Sequence, residues 1–234
     1  TLSVFRDLVE NPLVRLVSVM DHSPGQRQFV LESKYREYYM GKYHLNDETM
    51  DAFIVLQKAN SEAYSDRYRA AIVEHCLGRG LSVASHDDAT LAHVEESARY
   101  GMTIAEFPTT LEAAKGCHAL NMKVLMGAPN VVRGGSHSGN VAAAGLAAEG
   151  LLDILSSDYY PASLLQAAFV LADQQDGGDL SRAVKMISLA PAQAAGLNDR
   201  GEIAIGLRAD LVQARSREGL PVVQQVWRQA KRVF

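Results

Sequence analysis

Cysteine and basic runs are scarce in this sequence, and each scarcity closes a class of function. Only two cysteines occur, Cys76 and Cys117, far apart in helix-like segments and without CxxC or zinc-type spacing. Neither a disulfide framework nor a cysteine-ligated metal is supported, and both read as small core residues. No basic run exceeds Lys231-Arg232, and the formal charge of -4 with a pI near 6.0 leaves no electrostatic footprint for nucleic acid. Anion-binding residues must therefore be local. An uninterrupted apolar run of roughly 18 residues is missing, as is anything resembling a signal peptide, so membrane spanning and secretion have no support and a cytoplasmic location is expected. No internal repeat or low-complexity tract occurs.

What is present is 234 residues, 47% apolar and 21% charged, which suits a single soluble domain with a sizeable core. Thr1 stands where an initiator Met is usual, and strand-like sequence begins almost at once. Short apolar runs at Val14–Met20, Leu81–Ser85, Met102–Phe107, Met122–Met126 and Leu151–Ser157 alternate with helical patterns. Near-continuous apolarity of this kind suits strands buried on both faces. Helices are expected at Asp47–Leu77, Leu91–Tyr100, Leu111–Leu120, Val141–Glu149 and Ala162–Asp173. Successive βα units imply a parallel α/β sheet with right-handed crossovers. Five units are visible where a (β/α)8 TIM-like barrel needs eight, leaving an open sheet or a barrel short of three units. Shorter helices are expected at Leu180–Leu189 and Ala192–Ala195, then short strands at Glu202–Gly206, Ala209–Val212 and Pro221–Trp227. The expected division is a barrel portion over residues 1–198 and a β-strand tail over 199–234.

Polar clusters follow each apolar run, and in a parallel barrel such clusters gather on one rim. A divalent metal that activates water needs imidazole and carboxylate ligands on rigid elements, with one position left open. His22, His86 and Asp158 can supply them from three strands, or each His instead caps a helix or bonds a carbonyl. Asp87 and Asp88 precede a helix and read either as N-caps or as substrate contacts. Glu106 reads as a supporting base or an ion partner at its strand end.

Asn130 with Arg133, Gly134, Gly135 and Ser136 forms the best anion-site candidate, since glycines admit an anion to backbone N–H groups, the Arg supplies a fork and a helix start follows. A glycine-rich loop without function is the alternative. The GxxxxGK[ST] spacing is absent, which excludes a P-loop. His137 in the same loop can donate a proton to a leaving group or bond a phosphate oxygen. Arg27 is either a second phosphate contact or an ordinary salt bridge. The remaining histidines, His44, His75, His93 and His118, read as structural or solvated. The stretch Tyr35–Tyr43, with Lys34, Arg36 and Lys42 interleaved, suits a lid over a polyanion or a packed helix with a basic face.

Taken as strings, Met20–Phe29 with its Asp21-His22-Ser23-Pro24-Gly25, Ala84–Thr90 with its Ser85-His86-Asp87-Asp88, Glu106–Thr110, Met126–Asn130 with Arg133–Asn140, and Ser156–Pro161 closely resemble the PhnM-type family of the carbon-phosphorus lyase pathway, within the amidohydrolase superfamily. The segment from Asp199 to Val212 resembles the superfamily's return into its small β-sandwich. The resemblance implies a metal-dependent hydrolase barrel, of which these would be the last five units, lacking the first strand and its His-x-His or His-x-Asp motif. It implies a divalent metal (Zn, Mn or Mg alike) and a small phosphorylated ribose as partner, with neither nucleic acid nor membrane. The implied reaction removes pyrophosphate from α-D-ribose 1-methylphosphonate 5-triphosphate, with water activated at the metal and deprotonated with help from Asp158. By the same analogy His86 and Asp158 match a strand-end His and last-strand Asp that carry metal and water, and His22 falls on the fourth strand. Two other readings stand beside it: amide or C–N bond hydrolysis on the same scaffold, and a non-catalytic barrel portion acting as a binding module. Strand edges left open by missing units predict association, including homo-oligomers.

Overall fold

The computed structural model describes residues 2–29, 31–136, 139–174 and 179–234. Contacts divide the chain into two compact units, Thr1–Gly116 and Cys117–Phe234. In the first, helix α1 (Leu2–Val9) precedes strand β1 (Leu16–Val19), helices α2 (Glu32–Tyr43) and α3 (Asp47–Gly78), strand β2 (Ser82–His86), helix α4 (Leu91–Arg99) and strand β3 (Ile104–Glu106). Helix α5 (Leu111–Ala119) runs across the boundary.

The three strands are parallel, with Leu16 opposite Ser82, Val19 opposite Ser85, Ala84 opposite Ile104 and His86 opposite Glu106. Val83, Ala84, Ile104 and Ala105 lose their exposure on alternating faces, as strands covered by crossover helices must. Each large aliphatic side chain so buried contributes about 1.5–3 kcal/mol. The long helix α3 starts at a capping box: the Asn46 side chain accepts from the Thr49 N–H while the Thr49 hydroxyl oxygen accepts from the Asn46 N–H. Asp47 and Glu48 then complement the helix dipole in the first turn.

Helix α2 answers the question left by the tyrosine-rich stretch. Its Tyr35 is buried and packs with Phe29, Met50 and Ile54, flanked by Tyr39, Met40, Leu45 and Phe53. The basic residues lie on the outside, where Arg36 pairs with Asp51, Lys34 with Glu37, and the Lys42 ammonium sits over the rings of Tyr38 and Tyr43. This is a packed helix with a solvated basic face.

The second unit opens with strand β4 (Lys123–Gly127), helices α6 (Ala128–Arg133) and α7 (Ala143–Ala148), strand β5 (Ile154–Ser156) and helices α8 (Ser163–Gln174), α9 (Leu180–Lys185) and α10 (Leu189–Ala194). Strands β4 and β5 are parallel, Leu125 opposite Ile154 and Gly127 opposite Ser156. An antiparallel sheet of β6 (Leu211–Arg217), β7 (Leu220–Arg228) and β8 (Lys231–Arg232) follows. Its first turn is Glu218-Gly219, both at positive φ (52° and 79°), the two-residue geometry whose twist matches the flanking strands.

Two expected elements differ. The helix expected over Leu180–Leu189 ends at Lys185 and restarts at Leu189, because one continuous helix would set the Pro191 ring against the carbonyl four residues earlier. Glu202–Gly206 forms turns rather than a strand: Gly206 turns at φ 87°, and Ile203 and Ile205 stay exposed. The string Ala128-Pro129-Asn130, among the polar residues after its apolar run, opens α6, with Pro in its first turn, where a missing N–H costs nothing. Among the described residues, no helix is long and apolar enough to cross a membrane.

Candidate metal centre

His86 is the last residue of β2, and the chain turns immediately after it. Asp87 adopts φ 58°, the left-handed region that Asp tolerates better than most residues. Backbone bonds hold the turn: the Asp87 N–H donates to the Glu106 carbonyl at 2.9 Å and the Thr109 N–H to the Asp88 carbonyl at 2.9 Å. Two neighbouring aspartates consequently face different partners.

The Asp87 carboxylate reaches both histidines. His22 Nε2 donates to Asp87 Oδ2 at 3.0 Å and His86 Nδ1 donates to the same oxygen at 2.6 Å. The two imidazole rings lie 5.2 Å apart, with the Phe29 ring edge-on to His22 and the Phe107 ring edge-on to His86. His86 and Asp87 are buried and His22 is half-buried. Burial works against charge on Asp87, yet the bonds from His22 and His86 outweigh it and hold its carboxyl below the usual carboxylate range. Glu106, at the end of β3, stands 3.9 Å from His86 Nε2 and accepts a bond from the Ser18 hydroxyl.

One ligand atom from each of His22, His86 and Asp87 lies within 4.8 Å of the other two. Two imidazole nitrogens and a carboxylate oxygen are the donor set that a first-row divalent cation takes in hydrolases. These residues fit such an ion.

Asp88 turns the other way. It is buried with Arg27, whose Nη1 donates to Asp88 Oδ1, while the hydroxyls of Ser85 and Ser97 donate to Asp88 Oδ2 at 2.6 and 3.3 Å. The second Arg27 nitrogen donates to Glu96 at 2.7 Å, and Glu96 also accepts from Arg69 at 3.0 Å. Arg27 and Asp88, both expected as substrate contacts, are buried here, and the charged atoms of each are bonded to the other and to neighbouring side chains. Nor does Asp88 cap α4, since Thr90 accepts from the His93 N–H in that position.

The glycine loop of the second unit is likewise engaged within the fold. The Gly134 N–H donates to the Val131 carbonyl and the Gly135 N–H to the Asn130 carbonyl, with Gly134 at φ 82°, which makes the pair the C-terminal cap of α6. The Asn130 side chain accepts from the Ala143 N–H at 2.9 Å, so its oxygen serves the start of α7. The groups of Asn130, Gly134 and Gly135 expected to meet an anion are thus bonded within the fold. Arg133 remains exposed, and its Nη1 donates to the Tyr159 hydroxyl at 3.5 Å. Ser136 follows the cap, and His137 lies outside the described residues.

Asp158 follows β5 at φ 48°. A Cβ on Gly127 would stand 3.2 Å from Asp158 Oδ2 and 3.5 Å from its Cβ, so the absence of a side chain at the end of β4 gives this carboxylate its seat. Sequence reasoning passed over Gly127, because its φ of -75° demands no glycine and only the facing carboxylate does. It also passed over Arg69 and Glu96, which carry no motif and meet Arg27 only through the packing of α3 and α4.

Residues 51–231 match the model of the amidohydrolase family. The chain belongs to that family. Amidohydrolases are metal-dependent, and the resemblance read from the strand-end motifs is borne out. The α-D-ribose 1-methylphosphonate 5-triphosphate diphosphatase of Escherichia coli strain K12 is 57% identical over 235 residues, covering all of this chain and 62% of the relative. This amidohydrolase chain thus spans about 62% of the length of that curated relative. Among solved structures, ochratoxinase from A. niger superposes with a TM-score of 0.53 at 17% identity, over 72% of this chain and 46% of that one. An adenosine deaminase from Xanthomonas campestris with bound zinc gives a TM-score of 0.52 at 18% identity, over 71% and 48%. These two likenesses are of fold, and they agree with the amidohydrolase α/β barrel architecture, of which the chain covers part.

Proposed function

We propose that the protein carrying this chain is a divalent-metal-dependent diphosphatase that hydrolyses α-D-ribose 1-methylphosphonate 5-triphosphate to pyrophosphate and the 5-phosphate. The observation that carries this reading is the 57% identity to the E. coli diphosphatase over the whole of this chain. His22, His86 and Asp87 would hold the metal, and by the family resemblance Asp158 would serve as the base. When bound, the cation supplies Lewis-acid stabilisation of charge developing on the phosphate oxygens.

The chain's own part is proton handling and orientation. Asp158 takes a proton from the attacking water as its oxygen bonds to phosphorus, and the anhydride P–O bond breaks with both electrons going to pyrophosphate. The carboxylate lies against Gly127, where a side chain on that residue would crowd it. Arg133, exposed beside Tyr159, offers a guanidinium fork to the polyphosphate. Residues 199–234 would serve as part of a small β-sandwich that leaves the barrel portion, 1–198, to carry the chemistry.

The test is pyrophosphate release by the protein expressed from its longest reading frame, with a panel of cyclic amides and N-acyl compounds alongside. Pyrophosphate release with no amide turnover is expected, and Asp158→Asn should lower kcat by about 100-fold or more, the usual contribution of a general base. An unchanged rate in folded, metal-loaded Asp158→Asn would overturn the role of Asp158. Turnover of amides alone would overturn the substrate class.

A further inference from the structure

His22 does not sit on a strand. It is carried by the connection that leaves β1 and reaches Arg27–Phe29, and a ligand on a connection needs something to hold that connection still. Two anchors do so, one on each side. Before His22, Asp21 Oδ2 accepts from the hydroxyls of Ser61 and Ser65 on α3, at 2.8 and 2.7 Å. After it, Arg27 is buried to 6% exposure and its two terminal nitrogens are divided between Asp88 and Glu96. Arg27 also has φ 30°, a conformation that a long side chain keeps only when its surroundings hold it there.

We propose that Arg27 is a positioning residue: its fork ties the connection carrying His22 to the turn carrying Asp87, and so sets the His22–His86–Asp87 geometry. Asp88 is the neighbour of Asp87, so the acceptor of the tie and the carboxylate between the histidines share one backbone turn. Displacing Arg27 therefore moves His22 relative to Asp87. The tie is balanced in charge, Asp88, Arg27, Glu96 and Arg69 alternating in sign, with the Ser85 and Ser97 hydroxyls on the remaining Asp88 oxygen. A network of this kind, buried at Arg27 and Asp88 and half-buried at Glu96, favours one arrangement. Lysine cannot replace it, because a single ammonium cannot present two planar donors to two carboxylates.

The inference rests on reading His22, His86 and Asp87 as the metal centre, and the experiment separates the two. Wild type, His22→Ala and Arg27→Lys are expressed from the longest reading frame. Zinc affinity is measured by competition with a chromophoric chelator, and amide hydrogen exchange over residues 20–29 is measured without metal. In Arg27→Lys, zinc binding should weaken by about 10- to 100-fold, the usual effect of losing a supporting partner. Exchange over 20–29 should speed up while α8 keeps its protection. His22→Ala should lose zinc but keep slow exchange around Arg27. Wild-type affinity and exchange in Arg27→Lys would overturn the proposal. Should wild type take up no zinc, the metal-centre reading fails, and the exchange over 20–29 alone decides the tie. Should Arg27→Lys not fold, the double variant Arg27→Met with Asp88→Leu, which leaves no unpaired charge, replaces it. Fast exchange over 20–29 in that double variant supports the tie, and slow exchange overturns it.

Discussion

Asp87 and Asp88 show how much a single backbone angle decides. Both are acidic, both buried, and both stand at a strand end before a helix, yet one lies between two imidazoles and the other beneath a guanidinium. The left-handed turn at Asp87 sends their side chains apart. Nothing in the residue types foretells that division. Gly127 is the converse, a residue whose importance lies in what it lacks. Its backbone, at φ -75° and ψ 130°, accepts alanine without strain, but the added carbon would crowd Asp158 Oδ2 at 3.2 Å. Gly127→Ala should therefore leave stability within about 1 kcal/mol of wild type, as a substitution at a compatible backbone site does. It should reduce kcat roughly 10-fold through a misplaced carboxylate. Urea unfolding beside steady-state kinetics checks the pair of expectations, and an unaltered kcat would show that the seat does not matter.

At the scale of elements, the βα alternation was legible because buried parallel strands write themselves as short apolar runs and their crossovers as helical patterns. Strand starts and ends fell within a few residues of the observed ones. Two elements were less legible for physical reasons. Helix α6 is only six residues long and hides behind a Gly-Ala-Pro-Asn string that reads as turn, and the supposed strand at Glu202–Gly206 has the alternation but turns at Gly206. Helix α2 yields a test of its own. Burial, followed by the neighbouring Tyr39 and Tyr43, pushes the Tyr35 hydroxyl up to about 12 from its ordinary value of 10.0. A raised folded-state pKa means that the neutral form is favoured by folding. That stability is complete below about pH 10 and is lost as pH climbs towards 12. The urea midpoint should fall over this window in wild type and fall less steeply in Tyr35→Phe, which has no proton to lose. Equal slopes would place the alkaline sensitivity elsewhere.

For the whole molecule, the open surfaces matter most. Within the first unit β1 is bonded to β2 along one edge, and Val212 and Leu220 in the antiparallel sheet, with Val233 and Phe234 just after it, remain exposed. Unpaired strand edges and apolar patches favour association. The 25.4 kDa chain made alone should therefore scatter light as a dimer or larger. A sharp monomer mass at micromolar concentration would contradict this.

The sequence by itself determined the alternation of strands and helices, the clustering of His, Asp and Arg after the strands, and the family, because all three are written in local periodicity and contiguous motifs. Only the tertiary structure decided which members of those clusters meet. His22 finds Asp87 across 65 residues and Arg27 finds Asp88 across 61. That outcome turns on the sign of one φ angle and on the burial that forces a guanidinium to take carboxylate partners instead of a phosphate. Such long-range choices follow from packing, and no local pattern in the chain encodes them.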